Sequence, residues 1–518
     1  MANSLSTHEL EQLRDACIAL AERWQREAVA KVTPTERRFC RFMSRLLAHP
    51  AEKTTLVRLI DQSFRTQGNT RLVDQFCSVL EMRGIPEAFP ALDRLLLQIF
   101  LWIGPWVPAL AAPLVRFKTR FDTRQNIVAA ERPALTRHLS GRRESRQRVN
   151  LNHLGEAVLG EDEAKRRLGQ YLRYLADPDL DYISVKVSSI HSQLHPLAFT
   201  ESLKEVNERL CQLYDACLQH RTTEGTPKFV NLDMEAYHDL ELTAEAFMQC
   251  LDEPRFRELS AGIVLQAYLP DSRLWLQHLQ EWAQARRKSG GAPVKVRIVK
   301  GANLAVERLE SALEGWPNPV LPTKTLVDAN FKQMLLDALT PESLDAVHIG
   351  VASHNLFDVA FTLNLLENRE LREGVTLEML EGMGTHLQRV LHAEARERGL
   401  PTLLYTPVVE RSGFTSAVAY LVRRLDENTG PENFLSSLFD LDEASPGFRE
   451  NQQRFCNALV EIGKLDDQPR RQQDRTTETN SDTEPIPVDG AMPFENEANT
   501  DWALPASRKW AESIRSEW

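Results

Sequence analysis

The stretch at residues 294–303, VKVRIVKGAN, sets two cations, Arg297 and Lys300, near the end of a β-branched run that stops at Gly301. Positive charge at the carboxyl end of a strand suits an anionic ligand or cofactor, because active sites of parallel α/β architectures collect at that end. On a regular pleat Arg297 and Lys300 take opposite faces, so a bend at Gly301 has to re-aim Lys300. Other apolar runs carry single polar groups in the same way. Lys186 shares a face of YISVKVSSI with Ser184 and Ser188, Asp233 shares one of FVNLDME with Asn231 and Glu235, and Gln266 stands between Leu265 and Ala267. His354 in VASHN, Glu378 in LEMLEG and Tyr405 in LLYTP complete a set that different strands deliver. Any one of them is as readily a satisfied core polar group as a functional one, but burying so many charges without partners is costly.

Downstream, SAVAYLVRRLDEN reads as a helix that puts Arg423 with Glu427, and Tyr420 with Arg424, at i,i+4 spacing. Adjacent arginines can clamp a small carboxylate, although an isolated pair of this kind is more often surface. The arginines at 137, 142, 143, 146 and 148 are interrupted by Glu144 and read as a solvated connection. No G-x-G-x-x-G follows a strand and no P-loop is present, so neither a dinucleotide fold nor a nucleotide phosphate site is supported. Without H-E-x-x-H or a His/Cys cluster, no catalytic metal is expected. Seven cysteines without a C-x-x-C pair read as reduced thiols. A net charge of -11 argues against a nucleic-acid partner, since phosphate binding needs a basic face.

The elements that must position these residues follow from the hydrophobic pattern. Eight β-type runs start at Arg148, Tyr182, Phe229, Gly262, Val294, Val347, Val375 and Thr402, with a helix-like segment in each gap. Eight strand-then-helix units predict an α/β fold of the (βα)8 TIM-barrel type over residues 146–465, with a doubly wound sheet as the weaker alternative. Residues 1–145 read as an all-helical N-terminal region, with 3.6-type apolar spacing at residues 13–24 and 37–47. Residues 95–115 hold Gln98 as their single polar side chain and reach the ~20-residue length of a membrane span. Pro105, Pro108 and Pro113 count against one continuous helix, so a buried hairpin or subunit contact is expected ahead of a membrane contact through Arg94 and Arg116. Residues 466–490 are polar and proline-bearing, the composition of a disordered linker, and residues 491–518 follow as a separate piece. The opening MANSLSTHEL is no secretory signal, which predicts a cytoplasmic protein.

As an ordered set, VKVSSI, LDMEAY, LQAYLPD, RIVKGAN, ASHN, LEMLEGMG, YTPV and YLVRRLDEN resemble the proline dehydrogenase module of the bifunctional proline utilization A family, over residues 148–441. The resemblance implies a distorted (βα)8 barrel that holds FAD, oxidises L-proline to 1-pyrroline-5-carboxylate and passes electrons to a membrane quinone. By matching motif, Lys186, Asp233, Tyr405, Arg423, Arg424 and Glu427 fall where that family builds its proline pocket, with Leu380 on the ring and the paired arginines on the carboxylate. Gln266, Arg297, Lys300, Gly301, Ala302, Ser353, His354 and Asn355 fall at flavin-contacting positions, and Met234 and Glu378 are their neighbours. Asp233 and Arg297 are the residues expected to act catalytically, Arg297 by favouring the negative charge of reduced flavin. Asn303 stands where other branches of the family have an aromatic residue. TDWALPASRKW resembles the entry into that family's aldehyde dehydrogenase module, which the 518 residues do not contain. A homo-oligomer, peripheral to the inner face of the membrane, is expected. The alternative is a non-catalytic barrel that partners a separate aldehyde dehydrogenase.

Overall fold

The computed structural model describes residues 6–66, 68–123, 126–155, 158–410, 445–477 and 496–517, with residues 413, 417, 420, 422, 424, 434 and 439 between them. Its fold is a closed parallel (βα)8 barrel preceded by an all-helical region. Each of the eight expected runs starts a strand at the residue the pattern indicates: β2 (Arg148–His153), β3 (Tyr182–Lys186), β4 (Phe229–Asp233), β5 (Gly262–Gln266), β6 (Val294–Val299), β7 (Val347–Ala352), β8 (Val375–Leu380) and β9 (Thr402–Val409). A two-residue strand, β1 (Val128–Ala129), too short to leave a periodic signal, pairs with β9. The chain divides into two compact units, one of Ala157–Gly350 and Ala458–Trp518, the other of Leu5–Glu156 and Val351–Asn457.

In the first unit β3, β4, β5 and β6 pair in parallel, and the register sets Lys186 opposite Asp233 and Val264 opposite Arg297. Gly262 is required on β5: a Cβ there would lie 2.4 Å from Asn231 Oδ1 and 3.0 Å from the Phe229 ring. The pattern of YISVKVSSI predicts one strand, yet β3 ends at Lys186 and Val187–Ile190 forms a helical turn. The Ser189 hydroxyl donates to the Lys186 carbonyl (2.7 Å), the side chain-to-backbone bond that lets serine leave a ladder.

In the second unit β9 pairs with β2 on one side and with β8 on the other, which closes the series, and Tyr405 lies in register with both Asn150 and Leu380. Helix α1 (Thr7–Ala30) buries Leu13, Cys17, Ala21, Trp24 and Ala28, a stripe at i, i+4, i+8, i+11 and i+15. That stripe packs on the helices Leu356–Asn368 and Thr385–Glu397, where Glu394 takes hydrogen bonds from Trp24 Nε1 (3.0 Å) and Arg23 Nη2 (2.6 Å). Helices α2 (Pro34–Ala48), α3 (Pro50–Phe64) and α4 (Asn69–Arg83) follow. The apolar stretch at 95–115 becomes α5 (Ala91–Ile103), a 3-10 turn at Gly104–Trp106 and α6 (Pro108–Thr123). Pro105 and Pro108 mark the break as expected, but Pro113 is accommodated inside α6. No described helix is long and apolar enough to cross a membrane.

Candidate active site

Lys186, Asp233 and Gln266 are the last residues of β3, β4 and β5, and Arg297 lies two positions before the end of β6. Asp233 Oδ1 accepts hydrogen bonds from the Ser184 hydroxyl (3.0 Å), Asn231 Nδ2 (3.1 Å) and Arg297 Nη1 (3.0 Å). The Tyr182 hydroxyl donates in turn to Asn231 Oδ1 (3.4 Å). The two residues expected to be catalytic thus meet directly as a buried ion pair, and the carboxylate fixes the direction of the guanidinium. Lys186 places its ammonium on the Glu235 carboxylate, to which the Ser188 hydroxyl also donates (3.3 Å).

Gln266 Nε2 donates to the carbonyls of Met234 (3.5 Å) and Glu235 (3.3 Å), while its Oε1 is buried with no hydrogen bond among the described residues. A buried acceptor left unsatisfied is unfavourable, and it fits a bound group that brings an N–H or O–H donor, as a flavin does. Gly301 makes the bend that the sequence required: its φ is +119°, and a Cβ there would lie 2.6 Å from the Tyr268 ring. Lys300, just before it, places Nζ 2.6 Å from Asp328 Oδ1 and 5.5 Å from the Phe331 ring centroid. Burial pushes the Asp328 carboxyl up, but Lys300, Lys324 and Lys332 outweigh it and hold that group well below the usual carboxylate range. Ala302 is exposed, and Asn303 donates to Glu307 Oε1 (3.5 Å).

The second unit presents Ser353, His354 and Asn355 beyond β7, Glu378 and Leu380 on β8, Tyr405 on β9, and Arg424. His354 Nε2 accepts the Leu380 backbone N–H (2.8 Å), so the neutral ring carries its proton on Nδ1. Burial, then the charge of Arg424, push the His354 pKa down to about 4, which keeps that tautomer neutral at ordinary pH. Leu380 faces Tyr405 across the β8–β9 ladder, and its carbonyl accepts from Gln388 Nε2 (2.5 Å). Glu378 is buried opposite Leu403. Ser353 and Asn355 serve the following helix: Ser353 donates to Asp358 Oδ2 (2.9 Å) and accepts the Asn355 N–H (3.1 Å), and Asn355 Oδ1 caps the Phe357 N–H (3.0 Å). The Arg424 guanidinium lies 5.2 Å from the Tyr420 ring centroid, as their i,i+4 spacing requires. Arg423 and Glu427 lie outside the described residues.

Sequence reasoning missed Glu381, which directly follows β8 and is buried on a salt bridge with Arg142, with His138 Nε2 at 3.3 Å and the Thr406 hydroxyl at 3.3 Å. Burial pushes its carboxyl up, but His138 and Arg142 hold it below the usual range. Arg142 is therefore a structural cation and not simply part of a solvated connection. The described residues also bring Cys211 and Cys250 Sγ to 2.8 Å, with Glu253 Oε1 3.1 Å from Cys211. The hydrogen bond that Cys250 makes with Cys211, and then burial, push the Cys250 thiol far above its usual range, so it stays protonated.

The proline dehydrogenase family profile matches residues 135–437. Among solved structures, proline utilization A from Corynebacterium freiburgense is 35% identical, with a TM-score of 0.65 over 80% of this chain and 38% of its own. The enzyme from Bdellovibrio bacteriovorus, inactivated by N-propargylglycine, is 24% identical, with a TM-score of 0.74 over 98% of this chain and 48% of its own. A Bradyrhizobium japonicum proline utilization A mutant is 21% identical, with a TM-score of 0.65 over 99% of this chain and 51% of its own. The chain thus spans between about two fifths and a half of the length of these proteins. No curated protein matches it.

Proposed function

The chain belongs to the proline dehydrogenase family, and from that premise we propose that it binds FAD, oxidises L-proline to 1-pyrroline-5-carboxylate and passes the electrons to a quinone. The observation that carries this reading is the buried Arg297–Asp233 pair at the strand ends, where a fixed cation is held in a dry setting. Bound FAD supplies the hydride acceptor that side chains lack. Arg297, oriented by Asp233, would favour the negative charge that reduction places on the flavin, and needs no reorganisation to do so. Gln266 Oε1 offers the cofactor an acceptor, and His354 Nδ1–H offers it a donor. Arg423 and Arg424 would hold the substrate carboxylate, with Lys186, Asp233, Tyr405 and Glu427 as polar neighbours and Leu380 as the apolar contact of the ring. The chain's chief contribution is then positioning, which removes orientational freedom from the transfer.

The test is a visible spectrum of the purified protein, titrated with L-proline. Flavin absorbance that proline bleaches is expected; no flavin, or flavin that proline leaves oxidised, overturns the reading. N-propargylglycine is expected to inactivate this chain as it does the Bdellovibrio protein. Arg424→Ala should raise KM for proline by at least about tenfold with flavin content unchanged, the signature of a lost bidentate carboxylate contact. Equal loss of flavin and of proline affinity would contradict the assigned role.

A further inference from the structure

Two of the seven cysteines lie side by side. Cys211 sits within the helix Phe199–Gln219, which follows β3, and Cys250 is the last residue but one of the helix Leu240–Leu251, which follows β4. The two helices pack on each other within the first unit. The sulfurs stand 2.8 Å apart. That is nearer the about 2.05 Å of a disulfide than the about 3.8 Å that two thiolates keep when each makes a bond of about 2.3 Å to one tetrahedral ion. Hydrogen bonds give the two thiols different roles. The Cys211 S–H donates to Glu253 Oε1, so it is the Cys250 S–H that donates to the Cys211 sulfur. Cys211 is also the more exposed of the pair, and the Glu253 side chain beside it is open to solvent. A small oxidant therefore meets Cys211 first, with Cys250 behind it.

We propose that Cys211 and Cys250 are a redox modification site, which a hydroperoxide converts to a disulfide that ties the two helices together and which a dithiol reopens. In the first step the Cys211 sulfur attacks one peroxide oxygen and the O–O bond breaks. Cys211 becomes a sulfenic acid, and its thiol proton passes by way of Glu253 to the departing hydroxide, which leaves as water. In the second step the Cys250 sulfur attacks the Cys211 sulfur, the S–O bond breaks, and the Cys250 proton leaves with that hydroxyl as a second water. Two thiols and one hydrogen peroxide thus give one disulfide and two waters. A dithiol reverses the change by exchange and ends as its own disulfide. The reduced thiols expected from the sequence are the resting form.

A metal ion is the poorer occupant of this cluster. Arg255 Nε already donates to Glu253 Oε2 (2.8 Å) and Arg255 Nη1 to Asp215 Oδ2 (2.8 Å), which sets a cation beside the carboxylate that a second cation would need. Position in the barrel decides what the disulfide does. The helix Leu240–Leu251 runs back from the carboxyl end of β4, so Cys250 lies toward the amino-terminal side of the strands, away from Lys186 and Asp233. That face of a (βα)8 barrel serves stability, not chemistry. The bond joins residues 39 positions apart, and closing a loop of that length narrows the unfolded ensemble, so the oxidised form is the more stable. This inference rests on the thiol pair alone and stands whichever reaction the barrel performs.

The full-length protein is reduced with dithiothreitol, desalted and treated with hydrogen peroxide. Thiols titrated after denaturation are expected to fall by two of the seven, and tryptic mapping should find the Cys211 and Cys250 peptides joined until dithiothreitol parts them. The oxidised protein should melt at least about 3 °C above the reduced one. In Cys250→Ser, Cys211 lacks its second thiol and should accumulate as a sulfenic acid that dimedone labels, whereas Cys211→Ser should leave Cys250 unlabelled. Peroxide that oxidises methionine while both thiols stay free, a cross-link to a different cysteine, or a disulfide that leaves the melt unmoved overturns the proposal; none of these readings needs a variant to fold. Dimedone label on Cys250 in Cys211→Ser overturns the order of attack. About one zinc per chain in protein purified without chelator, absent from Cys211→Ser, overturns the proposal in favour of a metal site.

Discussion

Asp233 holds three hydrogen bonds on one oxygen, and its partner Arg297 is nearly inaccessible to water. Replacing a buried partner with a neutral isostere leaves the other charge uncompensated, which typically costs about 3–5 kcal/mol, whereas replacing both is far milder. Asp233→Asn is therefore expected to lower the urea stability of the chain by that order, and Asp233→Asn combined with Arg297→Gln should recover most of it. A single variant within about 1 kcal/mol of the parent would show that the pair is hydrated. The residues of this pair were legible in the sequence because each is a charge set inside a mainly apolar run, FVNLD or VKVRIV. Their meeting was not, because alternation along a strand gives a face but no cross-strand partner; register supplies that. Lys300 shows the same limit. Its bend at Gly301 was readable, and the Asp328 carboxylate that receives it, 28 positions on, was not.

At the scale of elements, strands were easier to read than the contacts that clamp helices. A β-branched run bounded by polar or glycine residues announces itself, and all eight barrel strands begin where such runs begin. The strand ends were less legible, since Val187–Ile190 leaves the ladder through a local serine hydrogen bond. The start of α2 is a capping box of Thr33 and Glu36, and Glu36 reaches beyond it to Arg389 (2.6 Å) and Thr385 (2.5 Å) on the helix Thr385–Glu397. One carboxylate thus caps a helix and fastens it to a neighbour. Burial pushes its pKa up, but the Arg389 and threonine hydrogen bonds outweigh that and hold it well below the unfolded value of about 4.3. A depressed carboxylate contributes stability that is fully present above the unfolded pKa and is lost progressively as pH falls from there through the lower folded value. Thermal melts of the parent and Glu36→Gln should therefore differ most near pH 7, with the gap narrowing only below about pH 4 and still open at about pH 3. A gap that stays constant with pH would mean that the carboxylate's charge is not what holds α2.

The whole chain is laid out so that distant segments return to the barrel, and composition was a poor guide to one of them. Residues 466–490 carry the polar, proline-bearing signature of a linker, yet within the first unit residues 466–477 lie against the protein; residues 478–490 lie outside the described residues. Order here comes from specific side-chain contacts, which no compositional average registers: beside Arg471, Arg470 donates to the Val320 carbonyl, Gln473 bonds Asn499 and Asp501, and Arg475 donates to the Ala498 carbonyl (2.6 Å). Arg471 is 3% exposed, with its guanidinium 4.7 Å from the Trp316 ring centroid and 4.9 Å from that of Tyr237. It pairs with Asp501 (3.3 Å) and donates to the Pro317 carbonyl (3.1 Å) and the Ser311 hydroxyl (2.9 Å). Two aromatic faces and three acceptors fit a planar fork and would not fit a lysine ammonium equally. Arg471 thereby ties Asp501 to Ser311 and Pro317 within the first unit, so its loss should free the C-terminal segment before it disturbs the barrel. Arg471→Lys and Arg471→Ala are expected to bring early proteolytic cleavage into residues 466–504, with Arg471→Ala faster by several fold and the barrel's main unfolding transition little changed. If both variants resist trypsin as the parent does, the segment is held by its backbone contacts, and the arginine only fills a space they create.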